Sequence, residues 1–170
     1  MPAYRPVPFE LDVSRNAVIL DTNVLVAAFE PRDERHENTK VLLFEVLTDE
    51  YNQIIVPISV VVEAWGMLVG SYKDWNAGHE LLSWLTNPLN AVLIPQSVNN
   101  SNSVREITRA MHIDCVDALL LHLADEVNEQ CALKPFIHIA TYDTSDYLRS
   151  LEVHDFRISV LDARTLEVFP

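Results

Sequence analysis

Four short apolar runs, each stopped by a proline or a polar residue, constrain this chain more than anything else in it. Ala17-Val18-Ile19-Leu20 ends at Asp21, Gln53-Ile54-Ile55-Val56 at Pro57, Ala91 to Ile94 at Pro95, and Ile137 to Thr141 at Tyr142-Asp143. Apolar residues fill consecutive positions rather than alternate ones, which is the pattern of strands buried on both faces. Between the runs lie stretches of helical period: Thr39 to Leu47, Val60 to Val69, Trp75 to Leu85, Val104 to Met111 and Asp114 to Gln130. The last has Val116, Leu119, Leu120 and Leu123 as its expected apolar face. Ser59 is the expected cap of the helix beginning at Val60, Asn99 to Ser103 reads as a polar loop, and Arg157 to Leu161 as a fifth strand. Strands alternating with helices predict a parallel sheet covered on both sides. The expectation is one α/β domain over residues 17–170. Residues 1–16 precede it as an arm that Pro2, Pro6 and Pro8 keep extended.

No apolar run reaches the roughly 18 residues of a membrane span. The N-terminus lacks a basic stretch followed by an apolar core, so no signal peptide is expected. Cys115 and Cys131 are too few for a disulfide framework, and the six histidines show no zinc-type spacing. The expectation is a cytoplasmic protein with no membrane partner. Twelve Lys and Arg stand against 25 Asp and Glu, for a net charge of −13. That field repels nucleic acid at long range. The acids are therefore either a solvated surface or, in part, a cluster built to hold a divalent cation. Arg32, Arg35, His36 and Lys40 offer one local patch of the opposite sign, or simply a solvated helix face.

Position separates these readings. In an open α/β sheet ligands bind beyond the C-terminal strand ends, where strand order reverses. Asp21 closes the first strand and Asp143 follows the fourth. Glu63 lies in the first turns of the helix after the second strand, within the apolar segment Val60 to Trp65. Asp117 begins the long helix leading into the fourth strand. Each acid alone has a structural explanation as a cap or turn residue. Converging carboxylates would need compensating cations, and an oxygen-only donor set favours Mg²⁺ or Mn²⁺, which suits phosphodiester hydrolysis.

Four segments then resemble one family. Val18-Ile19-Leu20-Asp21-Thr22-Asn23-Val24-Leu25 is similar to the opening signature of PIN-domain nucleases. Val56-Pro57-Ile58-Ser59-Val60-Val61-Val62-Glu63 resembles their second acidic segment, and Asp117-Ala118-Leu119-Leu120-Leu121-His122-Leu123-Ala124 their third. Thr141-Tyr142-Asp143-Thr144-Ser145-Asp146-Tyr147 resembles the fourth. The likeness spans about Ala17 to Leu161. It implies a three-layer α/β/α fold around a parallel sheet ordered 3-2-1-4-5. It also implies Mg²⁺- or Mn²⁺-dependent cleavage of single-stranded RNA. Asp21, Glu63 and Asp117 would be the core acids, serving both as metal ligands and in catalysis, with Asp143 and Asp146 competing for the fourth place. Thr22, Asn23 and Thr141 would orient them. Members of this size include VapC-like toxins, homodimers silenced by a small antitoxin, so the resemblance extends to those partners; a processing nuclease and a catalytically silent RNA- or protein-binding module stand as alternatives.

Other readings of an aspartate after the first strand fail. A haloacid-dehalogenase-type phosphatase needs a second aspartate where Asn23 stands, and a receiver domain needs an aspartate where the third strand ends in Ile94-Pro95. Gly66, Gly70 and Gly78 form no phosphate-cradling loop.

Overall fold

A computed structural model describes residues 16–51, 53–87, 89–95, 101–129, 137–153 and 157–169. The expected arm therefore lies outside the described residues, apart from Asn16. Six strands form one sheet: β1 (Ala17–Leu20), β2 (Gln53–Pro57), β3 (Val92–Ile94), β4 (Ile137–Thr141), β5 (Ser159–Asp162) and β6 (Val168–Phe169). Their order is β3-β2-β1-β4-β5-β6. β1 to β5 are parallel, in the expected order, with registers such as Val18 opposite Ile54 and Leu20 opposite Ala140. β6 was not anticipated. It pairs antiparallel with β5, and two residues are too short a run to leave a periodic signal.

The helices are α1 (Thr22–Phe29), α2 (His36–Val41), α3 (Leu47–Glu50), α4 (Ile58–Trp65), α5 (Trp75–Leu85), α6 (Ser101–Met111), α7 (Cys115–Glu129) and α8 (Thr144–Val153). π-Helical turns at Leu42–Val46 and Gly66–Ser71 continue α2 and α4. α1, α4 and α5 pack together, as do α6, α7 and α8. Right-handed crossovers put these groups on opposite faces of the sheet. The central strands are fully buried: Val18, Ile19, Leu20, Ile55, Val56, Ile139 and Val160 are all 0% exposed. Gly78 permits the close seat of α5, since a Cβ there would stand 2.7 Å from Val69 Cγ2. Trp84 fills the space beside Phe29 and Phe44, with ring centroids 5.9 and 6.2 Å away.

Four local expectations are corrected. Ser59 does not cap α4; Pro57 occupies the N-cap, its fixed φ suiting that place, and Ser59 falls inside the first turn. Ser101 to Ser103 belong to α6 rather than to a loop, while Asn99 and Asn100 lie outside the described residues. The buried face of α7 is Ala118, Leu120, Leu121, Ala124, Val127 and Asn128; Val116, Leu119 and Leu123 are only half-buried beside it. Small alanines lie inside because α7 approaches the sheet closely. β5 runs from Ser159 to Asp162, two residues later than expected at its start.

Asn128, 1% exposed, does the work of a missing strand partner at the start of β4. Its amide donates to Ile137 O (3.3 Å) and its Oδ1 accepts from Ile137 N (3.2 Å). Asn128→Ala strands both backbone groups in the interior and is expected to lower stability by about 1–3 kcal/mol, read as a reduced denaturation midpoint in urea.

Candidate active site

The site begins with the end of β1. Asp21 N still donates to Ala140 O (3.1 Å), so the residue completes the β1–β4 ladder before the chain turns into α1. It is the N-cap of α1, and its Oδ1 accepts from Thr22 N (2.6 Å). Its other oxygen accepts from Asn23 Nδ2 (2.7 Å) and Thr141 Oγ1 (2.6 Å). Asn23 in turn accepts at Oδ1 from Tyr142 N (3.0 Å), and Thr141 Oγ1 accepts from Asp143 N (2.9 Å). This network ties the C-terminal ends of β1 and β4 together, where the crossovers diverge to opposite sides of the sheet. Asp21 is only 4% exposed.

Thr22 reaches the other way. Its hydroxyl donates to Glu63 Oε2 (2.5 Å), bringing the first turn of α1 against α4. From the far side come Asp114, Asp117 and Asp146. Asp114 precedes α7 and accepts at Oδ1 from Val116 N (2.8 Å) and Asp117 N (2.9 Å). Asp117 accepts at Oδ1 from the hydroxyl of buried Tyr147 (2.7 Å). Asp146, in the first turn of α8, is paired with Arg149.

Electrostatics groups the same residues. Burial, reinforced by repulsion from Glu63 and Asp114, lifts the Asp21 carboxyl to about 6 against the hydrogen bonds from Thr141 and Thr22. Burial also lifts Asp117 to about 7, with Asp21, Asp114 and Asp146 adding repulsion and the Tyr147 hydroxyl opposing them. Burial and these carboxylates hold the Tyr147 phenol protonated, well above its ordinary range. Asp21, Glu63, Asp114, Asp117 and Asp146 therefore share one field. Asp143 does not act on either raised acid; it is exposed and accepts from Ser145 Oγ (2.6 Å) within its own turn.

Sequence reading missed two members of this group. Asp114 was legible only as the helix cap, a role that accounts for it completely in one dimension. Tyr147 was visible as the aromatic of the fourth segment, yet nothing in the spacing tied its hydroxyl to Asp117. The basic patch fares differently. Arg32 bonds Glu30 (Nε to Oε1, 2.6 Å) and Arg35 bonds Asp33 (Nη2 to Oδ2, 2.7 Å), while His36 Nδ1 lies 3.0 Å from Ala27 O. Its guanidinium charges are committed to carboxylates of the same loop.

Among the described residues, no group of three or more His, Cys, Asp or Glu stands close enough to hold a metal ion with the side chains as they lie. The donor chemistry nevertheless fits a hard divalent cation: the groups acting together are carboxylates, and their mutual repulsion is what bound positive charge relieves.

Comparison with known proteins follows the geometry. A sequence model described as the PIN domain matches residues 18–163. No curated protein matches the chain. The structure is similar to VapC20 of Mycobacterium tuberculosis, described as a sarcin–ricin-loop-cleaving toxin, at 14% identity and a TM-score of 0.61, covering 82% of this chain and 98% of that one. It is similar to FitAcB of Neisseria gonorrhoeae at 15% identity and a TM-score of 0.56, covering 88% and 99%. VapBC2 of Rickettsia felis, solved with a DNA fragment from its promoter, matches at 18% identity and a TM-score of 0.54, covering 86% and 99%. At these identities the likeness is one of fold.

A pH dependence follows from the two raised acids. Below about pH 4 each is protonated in both folded and unfolded chains and costs nothing. As pH rises, the unfolded chain ionises first while the fold still holds the proton, so stability is lost through the folded values, about 6 for Asp21 and about 7 for Asp117. For Asp21, moved from 3.8 to about 6, the loss is about 3 kcal/mol. In chelator-treated protein the melting temperature is expected to fall between pH 5 and pH 7.5. Asp117→Asn keeps the acceptor for Tyr147 and should flatten that fall; an equally steep profile in this variant would refute the assignment.

Proposed function

This chain belongs to the PIN-domain family, and on that footing we propose that it is a metal-dependent endoribonuclease cutting single-stranded RNA. One observation carries the reading: carboxylates from four separate elements act on one another at the C-terminal edge of the sheet, around an aspartate that the fold buries with its oxygens already oriented. A merely solvated surface gives no reason to bury Asp21 or to hold Asp117 on a buried tyrosine.

In this reading Asp21, Glu63, Asp117 and Asp146 hold Mg²⁺ or Mn²⁺. Asp114 adds negative charge at the mouth of the same cleft, and Asp143 shapes the turn. The cation, when bound, supplies an activated water and stabilises the departing oxygen of the phosphodiester. The chain's own residues do the rest. Thr22, Asn23 and Thr141 fix the rotamers of Asp21 and Glu63, and Tyr147 fixes Asp117, so the donor oxygens need little reordering on binding. A carboxylate oxygen not engaged by the cation accepts the proton that the attacking water sheds.

The neighbouring solved structures include toxin–antitoxin complexes, among them one from Klebsiella pneumoniae. Together with the acidic cleft, this supports a toxin whose partner is a small antitoxin protein. α4 offers a surface for a second copy of the chain: Ile58 and Val62, one turn apart, are 41% and 65% exposed. No helix among the described residues is long and apolar enough to cross a membrane.

Mixed-sequence single-stranded RNA is expected to be cut with Mg²⁺ or Mn²⁺ and spared in EDTA, with cutting reduced to background in Asp21→Asn. Normal cutting by a folded Asp21→Asn protein would sink the mechanism; RNA binding without cutting by the wild type would favour the silent module. Mn²⁺ at about a hundred times its dissociation constant should stabilise the wild type by about 2.7 kcal/mol. Val62→Glu is expected to shift the sedimentation coefficient from dimer to monomer while leaving the circular dichroism spectrum unchanged.

A further inference from the structure

Beyond the acidic cleft, on the other side of Tyr142, lies a pocket of about 280 Å³ between α2, its π-helical continuation and the turn that follows β5. Its apolar walls are Val41, Leu42, Val46 and Leu166, and its polar groups are Arg35, Asn38, Tyr142 and Arg164. In a chain with twice as many acids as bases, this lining holds two guanidinium groups and no carboxylate. The Arg35 guanidinium carbon stands 4.7 Å from the centre of the Tyr142 ring, a cation–π arrangement, and the Tyr142 hydroxyl is fixed by Thr39 Oγ1 at 2.6 Å. Arg164 bonds the backbone carbonyl of Tyr142, and its own N–H is anchored on Asp162 Oδ1 (2.7 Å).

Tyr142 joins this pocket to the acids. Its N–H is held by Asn23, which also holds Asp21, and its carbonyl is held by Arg164. The two sites therefore share a rigid wall one residue thick. Leu166 stands at the rim, 43% exposed, with φ 61, a left-handed conformation that a branched side chain adopts only under constraint. The constraint is the β5–β6 turn, where Leu166 N donates to Asp162 O (2.8 Å).

We infer that this pocket binds one nucleotide unit of the RNA flanking the cleavage point, its phosphate on Arg164 and Arg35 and its base against Val41, Leu42, Val46 and Leu166. The inference rests on the ribonuclease reading and adds to it a substrate-holding site outside the acids. The volume is at the small end for ligand pockets, about 300–1,000 Å³, which suits a single unit rather than an extended chain. Paired guanidinium and aromatic groups are the chemistry that recognises phosphate and base together. The pocket also answers how an acidic protein retains an anionic substrate: the cations are few, and they lie next to the acids.

The test uses the Asp21→Asn protein, so that RNA is held without being cut, and a fluorescently labelled mixed-sequence single-stranded RNA whose anisotropy is followed over a range of salt. Arg164→Ala in that background is expected to weaken binding about tenfold, and losing one phosphate contact should reduce the slope of log affinity against log salt by about 0.7. Arg164→Lys should restore the slope. Leu166→Gly, which also relieves the left-handed backbone, should weaken binding with the slope unchanged and the melting temperature preserved; it serves if Arg164→Ala fails to fold. If wild-type protein cuts RNA but the pocket variants bind it with unaltered affinity and slope, the pocket serves another ligand, such as a protein side chain, and this inference fails alone. If the wild type neither cuts nor binds RNA, the ribonuclease reading fails and takes the inference with it.

Discussion

The structure depends on how it accommodates one buried carboxylate. Asp21 sits where two fully buried strands end, and nothing about hydrophobic burial favours an acid there. Three donors from three residues make the position tolerable: the Thr22 N–H, the Asn23 amide and the Thr141 hydroxyl. Each has a second task that extends the network. Thr22 binds Glu63, Asn23 holds the backbone of Tyr142, and Thr141 takes the N–H of Asp143. Satisfying one acid thus fixes the ends of β1 and β4, the start of α1 and the approach of α4. Where the fold turns, it turns around this network.

The sheet was legible because its signal is carried by uninterrupted apolar runs, which only doubly covered parallel strands require. Asp21, Glu63 and Asp117 stood out because their types clash with their neighbours: acids at strand ends or inside apolar helix sequence. What the sequence concealed was whatever depends on tertiary proximity. Val116, Leu119 and Leu123 had the right period for the inner face of α7, but Ala118 and Ala124 took it, since the depth available against the sheet selects small side chains there. Asp143 and Asp146 could not be separated by spacing; one points into its own turn and the other feels Asp117. Asp114 and Tyr147 were hidden for opposite reasons, the acid by a sufficient local role and the phenol by having no local role at all.

Charge is distributed so that its cost and its use coincide. Five carboxylates in one field destabilise the unliganded fold, and Asp21 alone accounts for about 3 kcal/mol at neutral pH. That is a substantial fraction of the 5–15 kcal/mol typical of a whole domain. Such a penalty persists only where the surrounding core over-determines the arrangement, and the 0% exposure of Ile19, Leu20, Ile139 and Ala140 supplies that rigidity. The same repulsion becomes affinity once positive charge enters, because the binding free energy then includes the relief of a strain already present. A cleft built this way binds cations more tightly for having been unfavourable without them.

The two π-helical turns show how the sequence reconciles a fixed core with a surface that must face elsewhere. A π turn inserts one residue into a helix and rotates everything beyond it by about a quarter turn. At Leu42–Val46 that rotation lets Leu43 and Leu47 both point inward, while Val41, Leu42 and Val46 line the pocket beside Tyr142. An uninterrupted α-helix, with its 3.6-residue period, would carry the core stripe and the pocket stripe progressively round the axis. The second turn, Gly66–Ser71, follows α4 directly after Glu63 and returns the chain so that Asp74 can cap α5 through Ala77 N (2.9 Å). In both places helix regularity is given up next to residues assigned here to substrate or cation. The irregular turns are where the demands of packing and of the site part company, and the chain yields to the site.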